Sequence, residues 1–103
     1  MKKILINTSY GGFGFSKELL NRFGITDSQY SQEVLAFQAD MKNRTNPYVI
    51  KVVEELGTKR ASGSSCRLCI KEVKDNDIYR IEEHDGCEKL VYVGTLVADN
   101  ILE

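Results

Sequence analysis

The fold is decided by residues 4–23, which read ILINTSYGGFGFSKELLNRF. The apolar run Ile4-Leu5-Ile6 predicts a strand over residues 2–8, with side chains on both faces covered as in an inner strand. Ser16 is a good helix N-cap, and Gly24 is a typical C-terminal stop. The segment therefore predicts a strand, a glycine-rich turn and a short helix.

Two further helices are predicted. Asn46 and Pro47 are the expected cap and first residue of a helix that ends at Gly57. A helix over about residues 28–41 is predicted after a capping box formed by Thr26 and Gln29. The apolar residues at helical spacing are Tyr30, Val34, Phe37 and Met41 in the earlier helix, and Val49, Val52, Val53 and Leu56 in the later one.

The last third of the chain predicts antiparallel strands. Residues 66–73 alternate, with Cys66, Leu68 and Ile70 on one face. Asp85-Gly86 between two alternating runs predicts a hairpin with a two-residue turn. That turn pairs Tyr79 with Tyr92 and Ile81 with Leu90, whereas residues 94–103 remain open between strand and helix.

We therefore expect one α+β domain over residues 1–103. Its two layers are a mostly antiparallel sheet of about four strands and two to three helices on one face of that sheet.

Composition excludes several classes of protein. The chain is 42% hydrophobic and 28% charged, with a net charge of −1, so it is not a general binder of duplex nucleic acid. Residues 1–60 hold nine Lys/Arg against six Asp/Glu, and residues 61–103 hold five against nine, which places an anionic ligand near the first half. No signal-peptide or membrane-span pattern is present, and three cysteines do not make a disulfide framework. We expect a cytoplasmic protein.

The glycine loop, Tyr10–Ser16, is the main candidate site. Three glycines between a strand and a helix free the backbone N–H groups to bind an anion beside the helix dipole. It matches neither the phosphate-binding loop nor the dinucleotide fingerprint. The alternative is a tight turn that binds nothing. The predicted ligand-binding residues here are Tyr10, Gly11, Gly12, Phe13, Gly14 and Ser16.

Three residues beside the third helix complete the predicted site. Arg44 can fork onto a phosphate, with Asn46 and Tyr48 at the same helix start. The alternative for Arg44 is a solvated loop residue. The serine bend, Ser62–Ser65, is either a polar linker or a lid over the site.

Metal binding and catalysis are weakly indicated. Cys66, Cys69, His84 and Cys87 have ligand types that suit zinc, but residues three apart on a strand point to opposite faces. We assign no metal ligand, cofactor or catalytic residue, although whether those four side chains meet stays open. His84 with Asp85 is interpreted as part of a turn, and Glu82, Glu83 and Glu88 as a solvated acidic rim.

The glycine loop, Arg44–Pro47 leading into Val52–Gly57, and Ile81–Gly86 together resemble a family of small uncharacterised proteins encoded by tailed bacteriophages. The similarity covers roughly residues 2–93. It implies expression in the cytoplasm of an infected bacterium. The family often has an aromatic residue where this chain has His84, and it does not depend on the three cysteines. By analogy, small phage proteins often counter host defence, some by sequestering a nucleotide second messenger.

Three functions follow as hypotheses. The first is a non-enzymatic module, expected to be a homo-oligomer, that sequesters a phosphate-bearing nucleotide such as a cyclic ADP-ribose-like or cyclic-nucleotide immune signal. The second is a protein–protein inhibitor or virion accessory protein with no small ligand. The third is an enzyme that degrades such a nucleotide through His84, Asp85 or the glutamates. The sequence favours the first, leaves enzymatic activity open and does not identify the ligand.

Overall fold

The computed structural model describes residues 1–26 and 32–95. Its strands are β1 (Lys2–Asn7), β2 (Leu68–Val73), β3 (Asp77–His84) and β4 (Cys87–Thr95). Its helices are α1 (Lys17–Arg22), α2 (Gln32–Ala39), α3 (Pro47–Leu56) and the single turn α4 (Thr58–Ala61), with a 3₁₀ helix at Met41–Arg44.

The predicted α+β class with four antiparallel strands is confirmed for the described residues. The strands form two separate ladders, β1 with β2 and β3 with β4. The hairpin has the expected register, because Tyr79 pairs with Tyr92 and Ile81 with Leu90. Asp85 and Gly86 have φ values of 52° and 88°, which is the left-handed backbone that a two-residue turn requires.

One apolar core joins β1, β2 and the helices. Leu5, Leu19 and Val53 are fully buried in it. Cys66 and Ile70 pack against the core beside buried Leu68, so the three residues predicted to share one face do so, although the strand begins at Leu68 and not at Cys66. Among the described residues, no side chain of the β3–β4 hairpin belongs to this core cluster.

The predicted helix caps form. The Ser16 hydroxyl accepts from Leu19 N, the Asn46 side chain accepts from Tyr48 N, and Gly24 has a φ of 76°. The sequence analysis missed α4, a single turn with no side-chain cap. The capping box at Gln29 and residues 28–31 of the predicted second helix lie outside the described residues, as do residues 96–103.

Candidate functional site

A pocket of about 240 Å³ lies between the glycine loop and the serine bend. Its walls are residues 11–15 and 63–66, joined by Leu35 and Gln38 from α2. All of these described lining residues have uncharged side chains. This glycine pocket therefore offers aromatic rings, amides, hydroxyls and a thiol, but no formal charge.

Two glycines allow its walls to approach each other. A Cβ atom on Gly11 would overlap the backbone oxygen of Ser65, and one on Gly63 would lie 3.1 Å from the carbonyl carbon of Gly14. Gly63 N donates to Gly14 O at 2.9 Å. Glycine is therefore needed at position 11, and position 63 leaves little room for a side chain.

The amides of the glycine loop face different partners. Gly11 N lies 3.4 Å from Ser9 Oγ, and Phe15 N donates to Gln38 Oε1 at 2.9 Å. The N–H groups of Gly12 and Phe13 have no hydrogen-bond partner within the described chain. Since α1 has only six residues, its dipole adds little. Gly11 N and Phe15 N are thus occupied by side chains of the protein itself.

Cys66 is the titratable side chain of the pocket lining. Burial raises the pKa of its thiol, and this effect outweighs the backbone hydrogen bonds from Gly14 and Gly63, which lower it. The neutral thiol is thus the favoured form in the folded protein.

Arg44 does not lie free beside the pocket. It is 7% exposed and makes two hydrogen bonds to the carboxylate of Glu88, Nη1 to Oε1 at 2.7 Å and Nη2 to Oε2 at 2.8 Å. Nη1 also donates to Leu5 O, while Nε is buried without a partner in the described part of the chain. The guanidinium carbon lies 3.5 Å from the centre of the Phe13 ring. The charge predicted to hold a phosphate is instead paired with a buried carboxylate.

Glu88 is correspondingly not part of a solvated rim. It is 7% exposed, and its Oε1 also accepts from Asn7 N at 2.8 Å. Removing one partner from such a buried pair costs about 3–5 kcal/mol, because the other charge is left buried and unpaired. The interpretation of Glu88 as a surface acid was wrong.

Asn7 links this pair to the loops. It is fully buried, and its Nδ2 donates to Gly86 O at 2.8 Å and to Ser9 O at 2.9 Å. Its Oδ1 accepts from the backbone N–H groups of Arg67 and Ser9. We call Asn7, Arg44 and Glu88 the buried polar cluster. It connects β1, the 3₁₀ helix and the hairpin.

The remaining predicted site residues lie apart from the pocket. Tyr10 is 71% exposed and borders another groove, beside Glu82, Glu83 and His84. Ser16 caps α1 and Asn46 caps α3. Tyr48 is exposed in the first turn of α3. Only Gly11, Gly12, Phe13 and Gly14 of the nine predicted residues line the glycine pocket.

Three side chains of the pocket lie outside the glycine loop and the serine bend and were not predicted, namely Leu35, Gln38 and Cys66. Cys66 carried a signal, because it shares the inward face of its segment with Leu68 and Ile70. Gln38 follows Phe37 and lies four residues after buried Val34, so its place beside the apolar face of α2 could have been noticed.

Within residues 1–26 and 32–95, no group of three or more Cys, His, Asp or Glu side chains could hold a metal ion. His84 is exposed in the hairpin turn, with its Nε2 atom 3.5 Å from Asp85 Oδ2. No helix of the described residues is long and apolar enough to cross a bilayer.

Comparison of the chain with protein-family models, with curated proteins and with solved structures gave no match.

Proposed function

We propose that this chain is a non-enzymatic binding protein of bacteriophage origin that captures a phosphate-bearing nucleotide at the glycine pocket. The observation that carries the proposal is the uncharged lining of the pocket, where Phe13 and Phe15 lie with the Gln38 amide and the hydroxyls of Ser64 and Ser65.

That lining suits a nucleobase better than a phosphate. A base has flat apolar faces and a polar edge, whereas a phosphate needs charge or several convergent amides. The volume of about 240 Å³ is below the roughly 300–1,000 Å³ of pockets that enclose a whole small ligand. The base is therefore proposed to enter, with the phosphate outside at the mouth.

The biological role rests on the sequence resemblance to small proteins of tailed phages. On that basis the nucleotide is proposed to be an immune signal of the host, such as a cyclic ADP-ribose-like molecule or a cyclic nucleotide, and the site of action the host cytoplasm. Capture of the intact molecule needs no acid, base or metal. A homo-oligomer, in which a second subunit covers the pocket mouth, would enclose the rest of the ligand.

A nucleotide panel tests this proposal. The protein is incubated with each nucleotide and separated from unbound ligand, then heated, and the released material is analysed by chromatography. Release of an unchanged nucleotide is expected. Release of an altered nucleotide would replace capture by an enzyme, and retention of none would favour a protein partner.

A paired substitution tests the pocket itself. A Cβ atom on Gly14 would lie 3.5 Å from Gln38 Oε1, an ordinary contact, so Gly14→Ala should fold while filling part of the pocket. We expect the affinity for the retained nucleotide to fall about tenfold, or about 1.4 kcal/mol. Gly94→Ala in β4 is the matched control, because its Cβ atom would have no neighbour within 4 Å in the described part of the chain. Equal affinities of the two variants would remove the glycine pocket from the site.

A further inference from the structure

We propose that the buried polar cluster holds the β3–β4 hairpin turn against the glycine loop and thereby sets the shape of the glycine pocket. Arg44 and Glu88 are then positioning residues. Only the expected effect on nucleotide affinity rests on the proposed function; the effect on pocket shape does not.

The β3–β4 hairpin turn is attached to the rest of the protein through Glu88. Among the described hairpin residues, Glu88 is the one buried side chain, and none belongs to the apolar core cluster. Glu88 reaches the body of the protein through Arg44 and Asn7 N. The position of the hairpin turn thus depends on charged and polar contacts with directional geometry.

The second step is that these contacts reach one wall of the pocket directly. Gly86, in the hairpin turn, packs so closely that a Cβ atom there would lie 2.7 Å from Gly12 N and 2.9 Å from Tyr10 O. At the next residue of the same loop, the Arg44 guanidinium lies against the Phe13 ring. The glycine loop therefore contacts both the hairpin turn and Arg44.

The third step extends the connection to the opposite wall. The Asn7 side chain binds both Gly86 O and Ser9, and the Ser9 hydroxyl donates to Ser65 O at 2.6 Å. Displacement of the turn would therefore change the positions of both walls. The distance between the glycine loop and the serine bend therefore depends on the position of the hairpin turn.

Cys66 provides a direct readout of that separation, since it lines the pocket and is only partly buried. Its rate of alkylation by iodoacetamide reports access to the pocket. Trypsin cleaves after Arg67, so Cys66 and Cys69 fall in separate peptides and can be measured independently by mass spectrometry.

The main comparison is Gly86→Ala against Gly24→Ala. Both glycines have positive φ, 88° and 76°, so both substitutions introduce backbone strain. Only the methyl group at position 86 would press on the glycine loop, because a Cβ atom on Gly24 has no neighbour within 4 Å among residues 1–26 and 32–95. We expect the alkylation rate of Cys66 to rise about tenfold in Gly86→Ala and to stay at the parent value in Gly24→Ala.

A second variant removes the two charged members of the cluster, so that no buried charge is left unpaired. Arg44→Met combined with Glu88→Leu replaces the ion pair by apolar side chains, a change that buried pairs often tolerate. We expect cooperative unfolding to be retained and the Cys66 rate again to rise about tenfold, since the contacts to Asn7 N and Phe13 are lost.

A Cys66 rate at the parent value in either folded variant would overturn the inference, as would an equal rise in Gly24→Ala. If Gly86→Ala gives no cooperative unfolding transition, the double variant decides alone. Iodoacetamide requires no nucleotide, so this result stands whether or not the panel finds a ligand. Where a nucleotide is retained, its affinity should fall about tenfold in the double variant.

Discussion

At the scale of the residue, Cys66 reports the environment of the glycine pocket. Its side chain packs against the apolar core on one side and lines the pocket on the other. Burial is the main reason why the pKa of its thiol is raised, since a thiolate is poorly solvated there. Thiol chemistry at this position should therefore be slow near neutral pH.

The pH dependence of Cys66 alkylation tests this. We expect the rate in the native protein to rise at a higher pH than the rate of the same cysteine in urea-unfolded protein, because the folded state retains the proton longer. The contribution of the protonated Cys66 thiol to the free energy of unfolding is complete below the pKa that this thiol has in the unfolded state. It is lost as the pH rises through the pKa of the folded state. A pH midpoint of Cys66 alkylation in the native protein at or below that in the unfolded protein would contradict the raised pKa.

Glu88 shows how far single residues can be predicted. The alternation of the hairpin places Glu88 on the same face as Leu90 and Tyr92, which was predicted to be apolar. A carboxylate on that face could have been expected to need a buried partner. The partner, Arg44, lies 44 positions earlier, and no local pattern connects the two. Long-range pairing of this kind is decided by packing.

At the scale of the element, α3 was predicted well because its signals are local. Asn46 caps the helix, Pro47 is its first residue and Gly57 ends it. Each of these signals acts within one turn of its own end of the helix. The stripe of apolar residues then fixes the buried face, with Val49 and Val53 almost fully buried. Asn46 thus has a structural role, whatever the function of the nearby loop.

Asn46→Ala should reduce the free energy of unfolding by about 1 kcal/mol, because Tyr48 N loses its acceptor. Urea denaturation measures the change. Asn46→Ser is the control, since its hydroxyl can cap the helix, and it should retain most of the stability. Equal losses in the two variants would show that the cap is not the cause.

The glycine loop was predicted only in part. Its position between β1 and α1 and its contribution to a pocket follow from glycine content and caps. The structural reason for its glycines could not be predicted from the sequence. Gly11 accommodates Ser65, and Gly12 needs a φ of 87°, so both meet demands of packing and backbone conformation before those of a ligand. Such demands come from segments that are distant in sequence.

At the scale of the whole molecule, the apolar core and the β3–β4 hairpin are held in place by different kinds of contact. The described core joins β1, β2 and the helices through apolar packing. The β3–β4 hairpin is held by its own ladder, by the buried polar cluster and by contacts of β4 with β1. Apolar burial supplies most of the stability of a folded chain, so the hairpin should open before the core.

Native-state hydrogen exchange tests that order. Amides of β3 and β4 should exchange through local opening, with an opening free energy lower than that of β1 and α3 by about 2 kcal/mol or more. Peptide-resolved mass spectrometry measures both sets in one sample. Equal protection of all four elements would show that the hairpin and the core unfold as one unit.

The β3–β4 hairpin is attached to the buried polar cluster at its turn end, and this has a practical consequence. Its turn end carries Gly86 and Glu88, whereas Ile78 and Val93 at the far end are 40% and 53% exposed. A dye or a surface tether attached at the far end would sit away from the pocket and outside the core. The protein could thus be immobilised with its glycine pocket left open to the solution.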